Sequence, residues 1–191
     1  MTMNHKSFVP MMFVAAIATT VMLCQQSVAQ SRSRTFFCGS HEGKPATKVK
    51  TSSKGDVTLI VWTSPAFEKS GHTPQSRCRD ISDRFEHLMG NGGSRRNLKA
   101  GRLHGHPIIC AVGNPQTENC SRENLLITLE PHLDANQVLI QLETLRRNAA
   151  TNQPVYLKDL PTGISGYDQE GNLYIDLDQL LQNLENSQTV E

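Results

Sequence analysis

The run from Lys99 to Leu129, KAGRLHGHPIICAVGNPQTENCSRENLLITL, most constrains what this chain can fold into. Lys99 to Leu103 and Pro107 to Val112 read as short strands joined by His104-Gly105-His106. A glycine in so tight a connection supplies positive φ without steric cost, which predicts a hairpin. On the second strand Ile108, Cys110 and Val112 share one face, and Ile109 and Ala111 share the other. Leu125, Ile127 and Leu129 alternate on a third strand, after the Gly113-Asn114-Pro115 turn and Cys120. The loop between Cys110 and Cys120 is short and easy to close, so these two cysteines are expected to pair.

The N-terminus explains why a disulfide is expected at all. Lys6 is followed by an apolar run from Phe8 to Cys24, and Gln25-Gln26-Ser27-Val28-Ala29 ends in small residues. That order predicts a secretory leader over residues 1–29, cut after Ala29, and a single domain over 30–191. A retained membrane anchor is the alternative. Lipidation of Cys24 is disfavoured by Leu23, where a small residue would be needed. Cleavage removes Cys24 and leaves Cys38, Cys78, Cys110 and Cys120. Four cysteines in a small exported domain imply two disulfides, with three pairings open. Loss of Lys6 leaves 18 basic against 18 acidic residues, so net charge offers no argument for nucleic acid.

Upstream, Thr35 to Cys38 reads as a first strand and Pro45 to Thr51 as a second, its lysines suited to a sheet edge. Val57 to Trp62 is the strongest strand signal and is apolar on both faces, which predicts a central position. A helix follows, with Thr73 as N-cap, Pro74 at its first position and Gly90 at its end. Cys78, Ile81, Phe85 and Leu88 fall within roughly 80° of one another on that helix, so Cys78 should face the sheet. This placement favours Cys38 as its partner. In the entropic account such a bridge stabilises by about 3–4 kcal/mol. Asp134 and Gln137 form a capping box for a second helix, whose expected buried stripe is Val138, Leu142, Leu145 and Ala149, with Ile140 pointing away. Gly166 to Tyr174 predicts a hairpin, and a third helix is expected from about Asp178 to Leu184. The fold class is therefore α+β: an antiparallel sheet with two or three helices packed on it and two disulfides.

Phe37-Cys38-Gly39, Ile60-Val61-Trp62, Thr73-Pro74-Gln75-Ser76-Arg77-Cys78, Gly101-Arg102-Leu103 and Pro107-Ile108-Ile109-Cys110 carry a family resemblance. Cys120, the Leu125 to Leu129 strand and Tyr174-Ile175-Asp176-Leu177 extend it. On these motifs residues 35–181 resemble the cyanobacterial circadian oscillating protein family. His104-Gly105-His106 departs from the Asn-Gly-Gln-like turn of such sequences. The resemblance implies a cyanobacterial exported protein, or one peripheral to a membrane, and no catalytic residues.

Chemistry-bearing constellations are sparse. His104 and His106 near Cys110 would be the metal candidate, but a hairpin turn does not hold both rings on one side and Cys110 is expected to be oxidised. No C-x-x-C or G-x-S-x-G is present. Asp168, Glu170 and Asn172 carry Gly171 in the wrong place for a calcium loop and read as a turn. No cofactor is expected. Arg95, Arg96, Lys99 and Arg102 form the local basic cluster, a candidate patch for an anionic headgroup or an acidic envelope partner, set against a plain solvated loop and edge strand. The chain is thus read as a non-catalytic, extracytoplasmic binding or structural domain, in periplasm, thylakoid lumen or secreted. The alternatives are a peripheral membrane protein using the basic loop, or an exported metal-dependent hydrolase-like enzyme.

Overall fold

The structure is a computed structural model that describes Met1 and residues 34–51, 55–148 and 164–186. The expected leader ending at Ala29, the 52–54 turn, the Leu145 side chain and Ala149 lie outside the described residues.

Three strands open the fold: β1 (Thr35–His41), β2 (Lys44–Thr51) and β3 (Gly55–Val61). They form an antiparallel sheet in the order β1-β2-β3. The turn between β1 and β2 is Glu42-Gly43, both at positive φ, which matches the twist of the strands it joins. Two expectations are corrected here. β2, with its lysines, is the central strand, and β3, the most apolar run, is an edge. A meander of three consecutive hairpin strands puts the middle one in the centre whatever its composition. The lysines of β2 stand on the uncovered side, while Ala46, Thr47, Val49 and Thr51 are buried.

α1 (Pro74–Met89) covers this sheet, packing on β1 and β2 and reaching the second sheet. Thr73 Oγ1 accepts the Ser76 N–H at 3.2 Å, as a capping threonine does. The predicted stripe is buried, with Ser82 and Met89 added to it. Phe36 meets Phe85 at a ring separation of 5.3 Å. Gly90 does not take the left-handed cap conformation expected of it: its φ is −74°. It is needed for space instead, since a Cβ there would stand 2.5 Å from the Glu86 carbonyl oxygen.

A second antiparallel sheet follows, so the chain builds two sheets where one was expected. β4 (Asn97–Leu103), β5 (His106–Val112) and β6 (Leu125–Thr128) are the three predicted strands. α2 (Ala135–Asn148) comes next, then β7 (Ser165–Tyr167), β8 (Leu173–Asp176) and α3 (Leu177–Asn186). The sheet order is β6-β5-β4-β8-β7. α2 and α3 pack on β4 and β8. The expected α2 stripe is corrected: Leu139 and Ile140 are buried in the core, whereas Val138 and Leu142 are only partly so. α2 touches both the sheet and α3, so it buries a wider arc than one stripe. α3 starts at Leu177, with Asp176 Oδ1 accepting the Gln179 N–H at 2.9 Å.

Arg34 and Arg77 bridge elements at the margins of the small sheet. Arg34 donates to the Met89 carbonyl at 2.6 Å and pairs with Asp178, which also receives Arg96. Burial, with Arg96 beside it, lowers the Arg34 guanidinium to about 10, so it stays charged at neutral pH. Arg77 lies over the rings of Trp62 and Phe67 and donates to the Ser64 carbonyl.

Candidate functional site: a loop clamped over the larger sheet

Alternation along β4 decides the site. Leu98 and Ala100 enter the core beneath the helices. Asn97, Lys99 and Gly101 therefore face the other side. There they meet Ile108, Cys110 and Val112 of β5, through the pairs Gly101–Ile108, Lys99–Cys110 and Asn97–Val112. All three of those β5 residues are buried, because the segment 113–124 folds back over that face.

Cys110 and Cys120 are joined, as are Cys38 and Cys78. Both expected pairings are thus present. Gly101 lets the loop close: a Cβ there would sit 2.7 Å from Cys120 Sγ. Inside the loop the polar groups satisfy one another. The Glu118 carboxylate accepts the Gly113 N–H at 2.7 Å, Arg95 Nε at 3.2 Å and Asn124 Nδ2 at 3.3 Å. Burial works to raise the Glu118 carboxyl, yet these donors outweigh it and hold it below the usual range. Asn124, itself buried, accepts the Ser121 N–H at 2.7 Å and donates to the Asn119 carbonyl at 2.9 Å.

Lys99 is the centre of this arrangement. It is 2% exposed, although lysine is among the least often buried residues. Its ammonium donates to the carbonyls of Pro115 at 2.9 Å and Glu118 at 3.0 Å, and pairs with Asp168 Oδ2 at 2.8 Å. A lysine ammonium has three donors, and all three are used. Asp168 sits in the β7–β8 turn, where its carboxylate also accepts the N–H groups of Glu170 at 2.9 Å and Asn172 at 2.8 Å. Burial alone would raise this carboxyl. Lys99, Asn172 and the two backbone donors hold it far below its ordinary value. One ammonium thus binds β4, the 113–124 loop and the 168–172 turn together. Gln116 adds a rim contact, donating to Tyr174 Oη at 3.2 Å and the Tyr167 carbonyl at 3.3 Å.

Arg95, Arg96, Lys99 and Arg102, the expected basic cluster, do not share one face. Lys99 points into the interior. Arg95 is engaged by Glu118 and Arg96 by Asp178. Arg102 is exposed and, by alternation on β4, leaves the opposite face from Lys99. His104 and His106 stay at the exposed hairpin tip, where Arg122 approaches the His104 ring at 3.2 Å, and Cys110 is in its disulfide. Among the described residues, no three His, Cys, Asp or Glu side chains converge as a metal site. A depression of about 320 Å3 lies beside Arg102, Pro107, His132, Asp134 and Asn136. Its Asp134 caps Gln137 at 3.0 Å and its Asn136 accepts the Leu173 N–H at 2.9 Å, so these groups serve the fold. Sequence reading missed the Lys99–Asp168 clamp. The available signal was the alternation of Lys99 with the small Gly101 on one face of a strand.

Residues 35–182 match the family described as circadian oscillating protein COP23. The chain belongs to that family. No curated protein and no solved structure matches it. The two disulfides accord with an oxidising, extracytoplasmic environment. No helix among the described residues is long and apolar enough to cross a membrane.

Proposed function

We propose that this chain is an exported, non-catalytic binding domain that presents the 113–124 loop and the neighbouring 168–172 turn as one rigid polar surface. The observation that carries the reading is the three-way clamp of Lys99, reinforced by the Cys110–Cys120 bridge. Loops that carry function are commonly held by a rigid scaffold. Holding a loop in one conformation before binding reduces the ordering entropy that binding must overcome. The outward groups of this surface include Asn114, Gln116, Thr117, Gln169 and the half-exposed Tyr167, a set suited to adaptable hydrogen bonding.

The test begins with protein recovered from its own cell envelope under non-reducing conditions. A mass matching residues 30–191, lighter by four hydrogens for two disulfides, supports export. A full-length mass with free thiols sinks it. Cross-linking in intact cells then compares wild type with Thr117→Arg, which enlarges the surface without touching the clamp. Loss of a defined adduct in the variant supports a contact role for the loop. Adducts that are the same in both sink it.

A further inference from the structure

Of the asparagines in the sequence, only Asn91 is followed by glycine. The backbone nitrogen after an asparagine can close a five-membered ring on the side-chain amide carbon. A side chain on the attacking residue hinders that approach, and glycine has none. The structure leaves the approach open. Gly93 donates its N–H to the Gly90 carbonyl at 3.0 Å, so Asn91 and Gly92 are the two central residues of the turn that leaves α1. Both are exposed. Among the described residues, nothing accepts the Gly92 N–H, and no atom beyond its chain neighbours stands within 4 Å of where a Cβ would be. The amide under attack is held and polarised. Asn91 Oδ1 accepts the Arg34 N–H at 3.0 Å, and Asn91 Nδ2 meets Thr35 Oγ1 at 3.4 Å. A backbone donor on Oδ1 stands where negative charge develops when the amide carbon is attacked.

We infer that Asn91–Gly92 is a self-modification site, at which the folded chain converts its own Asn91 to aspartate and isoaspartate. The Gly92 nitrogen bonds to Asn91 Cγ as the Cγ–Nδ2 bond breaks. The proton lost by Gly92 passes through water to the leaving nitrogen, which departs as ammonia, and a succinimide ring is left. Water then opens the ring. Attack at Cγ restores the ordinary backbone and gives aspartate. Attack at the Asn91 carbonyl carbon leaves the chain running through Cγ and gives isoaspartate. The sum is one water consumed and one ammonia released, with no redox change. Either product places a new negative charge at the junction of α1 and β1. The aspartate still accepts the Arg34 N–H but no longer donates to Thr35. The isoaspartate lengthens the backbone of the turn by one carbon and carries its carboxylate directly on Cα, so the tie to the start of β1 is lost. The site is thus a one-way device on the first strand, independent of the loop surface proposed above.

The experiment incubates the full folded protein at neutral pH, alongside Gly92→Ala and the wild type unfolded in urea with its disulfides reduced. Trypsin then releases residues 85–95, in which Asn91 is the only side-chain amide. The expected result is two products of equal mass accumulating in the folded wild type. One co-elutes with the same peptide from Asn91→Asp, and the other is a substrate for an isoaspartyl methyltransferase. Gly92→Ala, whose methyl group meets nothing in the fold, should slow both about tenfold or more with unchanged far-UV circular dichroism. A folded protein that keeps Asn91 intact while the unfolded protein converts overturns the inference, since the turn then blocks ring closure. Equal rates in wild type and Gly92→Ala overturn it too, since the Gly92 nitrogen is then not the attacking group.

Discussion

Cys38–Cys78 and Cys110–Cys120 join the chain in two unlike settings. The first ties β1 to α1 across 40 positions, inside an apolar cluster that includes Phe36, Val49 and Phe85. The second ties β5 to its own following loop across 10 positions, beside a buried ammonium and a closed set of polar bonds. Apolar packing is non-directional and spread over many atoms, so no single contact dominates the first region. The second depends on a few directional bonds, each of which leaves a buried partner unpaired when it is lost. The small sheet should therefore yield gradually to substitution, and the clamped loop abruptly.

The most severe test of that contrast is Lys99→Met. It leaves the Asp168 carboxylate buried without its cation and two loop carbonyls unpaired. The expected loss is about 3–5 kcal/mol, read from the urea midpoint. Adding Asp168→Asn should recover part of it, because the uncompensated charge goes. If Lys99→Met costs no more than a surface change, the clamp does not hold the loop. Next in size are the paired cysteine removals. In the entropic account, Cys38→Ser with Cys78→Ser should cost about 4 kcal/mol and Cys110→Ser with Cys120→Ser about 2.7 kcal/mol. A reversed order would mean that strain or unfolded-state structure outweighs loop length. Gly101→Ala comes third, at about 1–3 kcal/mol, because its methyl group meets Cys120 Sγ. An equal cost at the open Gly92, where a Cβ meets nothing, would break the argument. Thr73→Ala is the smallest, at about 1 kcal/mol from the cap of α1, with the loop undisturbed.

Acid separates the two regions in another way. The Asp168 carboxyl is depressed in the folded state, so its contribution is fully present above the ordinary carboxylate range. It is lost as pH falls below that range toward the depressed folded value. Amide protection in 113–124 and 168–172 should therefore fail before that of β1 and β2 on acidification. Simultaneous loss in both regions would mean that the clamp and the core open as one unit.

How much of this was legible in the sequence differs element by element. α1 was, because capping and the recurrence of Cys78, Ile81, Phe85 and Leu88 are local signals with one period. The hairpin at His104-Gly105 was, because both residues take positive φ, as a tight connecting turn requires. The places of β2 and β3 were not, since hydrophobicity reports how much a strand buries and not which strands flank it. α2 was half legible. Its capping box is present, but its apolar residues surround too much of the helix to say which arc meets two partners. The placement of the four basic residues was not legible, because residue type alone does not give strand face: Lys99 and Arg102 lie on opposite sides of β4.

The sequence by itself determined the family, the α+β class and the start of α1, which rest on motifs within a few residues, and it favoured the disulfide pairing that the structure shows. Only the tertiary structure decided that Lys99 is interior, that Asp168 answers it, and that β3 is left at an edge. Each of those depends on which distant segments meet. A charge is buried only where its partners are delivered to it, and Asp168 reaches Lys99 through strands β7 and β8, which lie far along the chain from β4 yet pair beside it in the sheet.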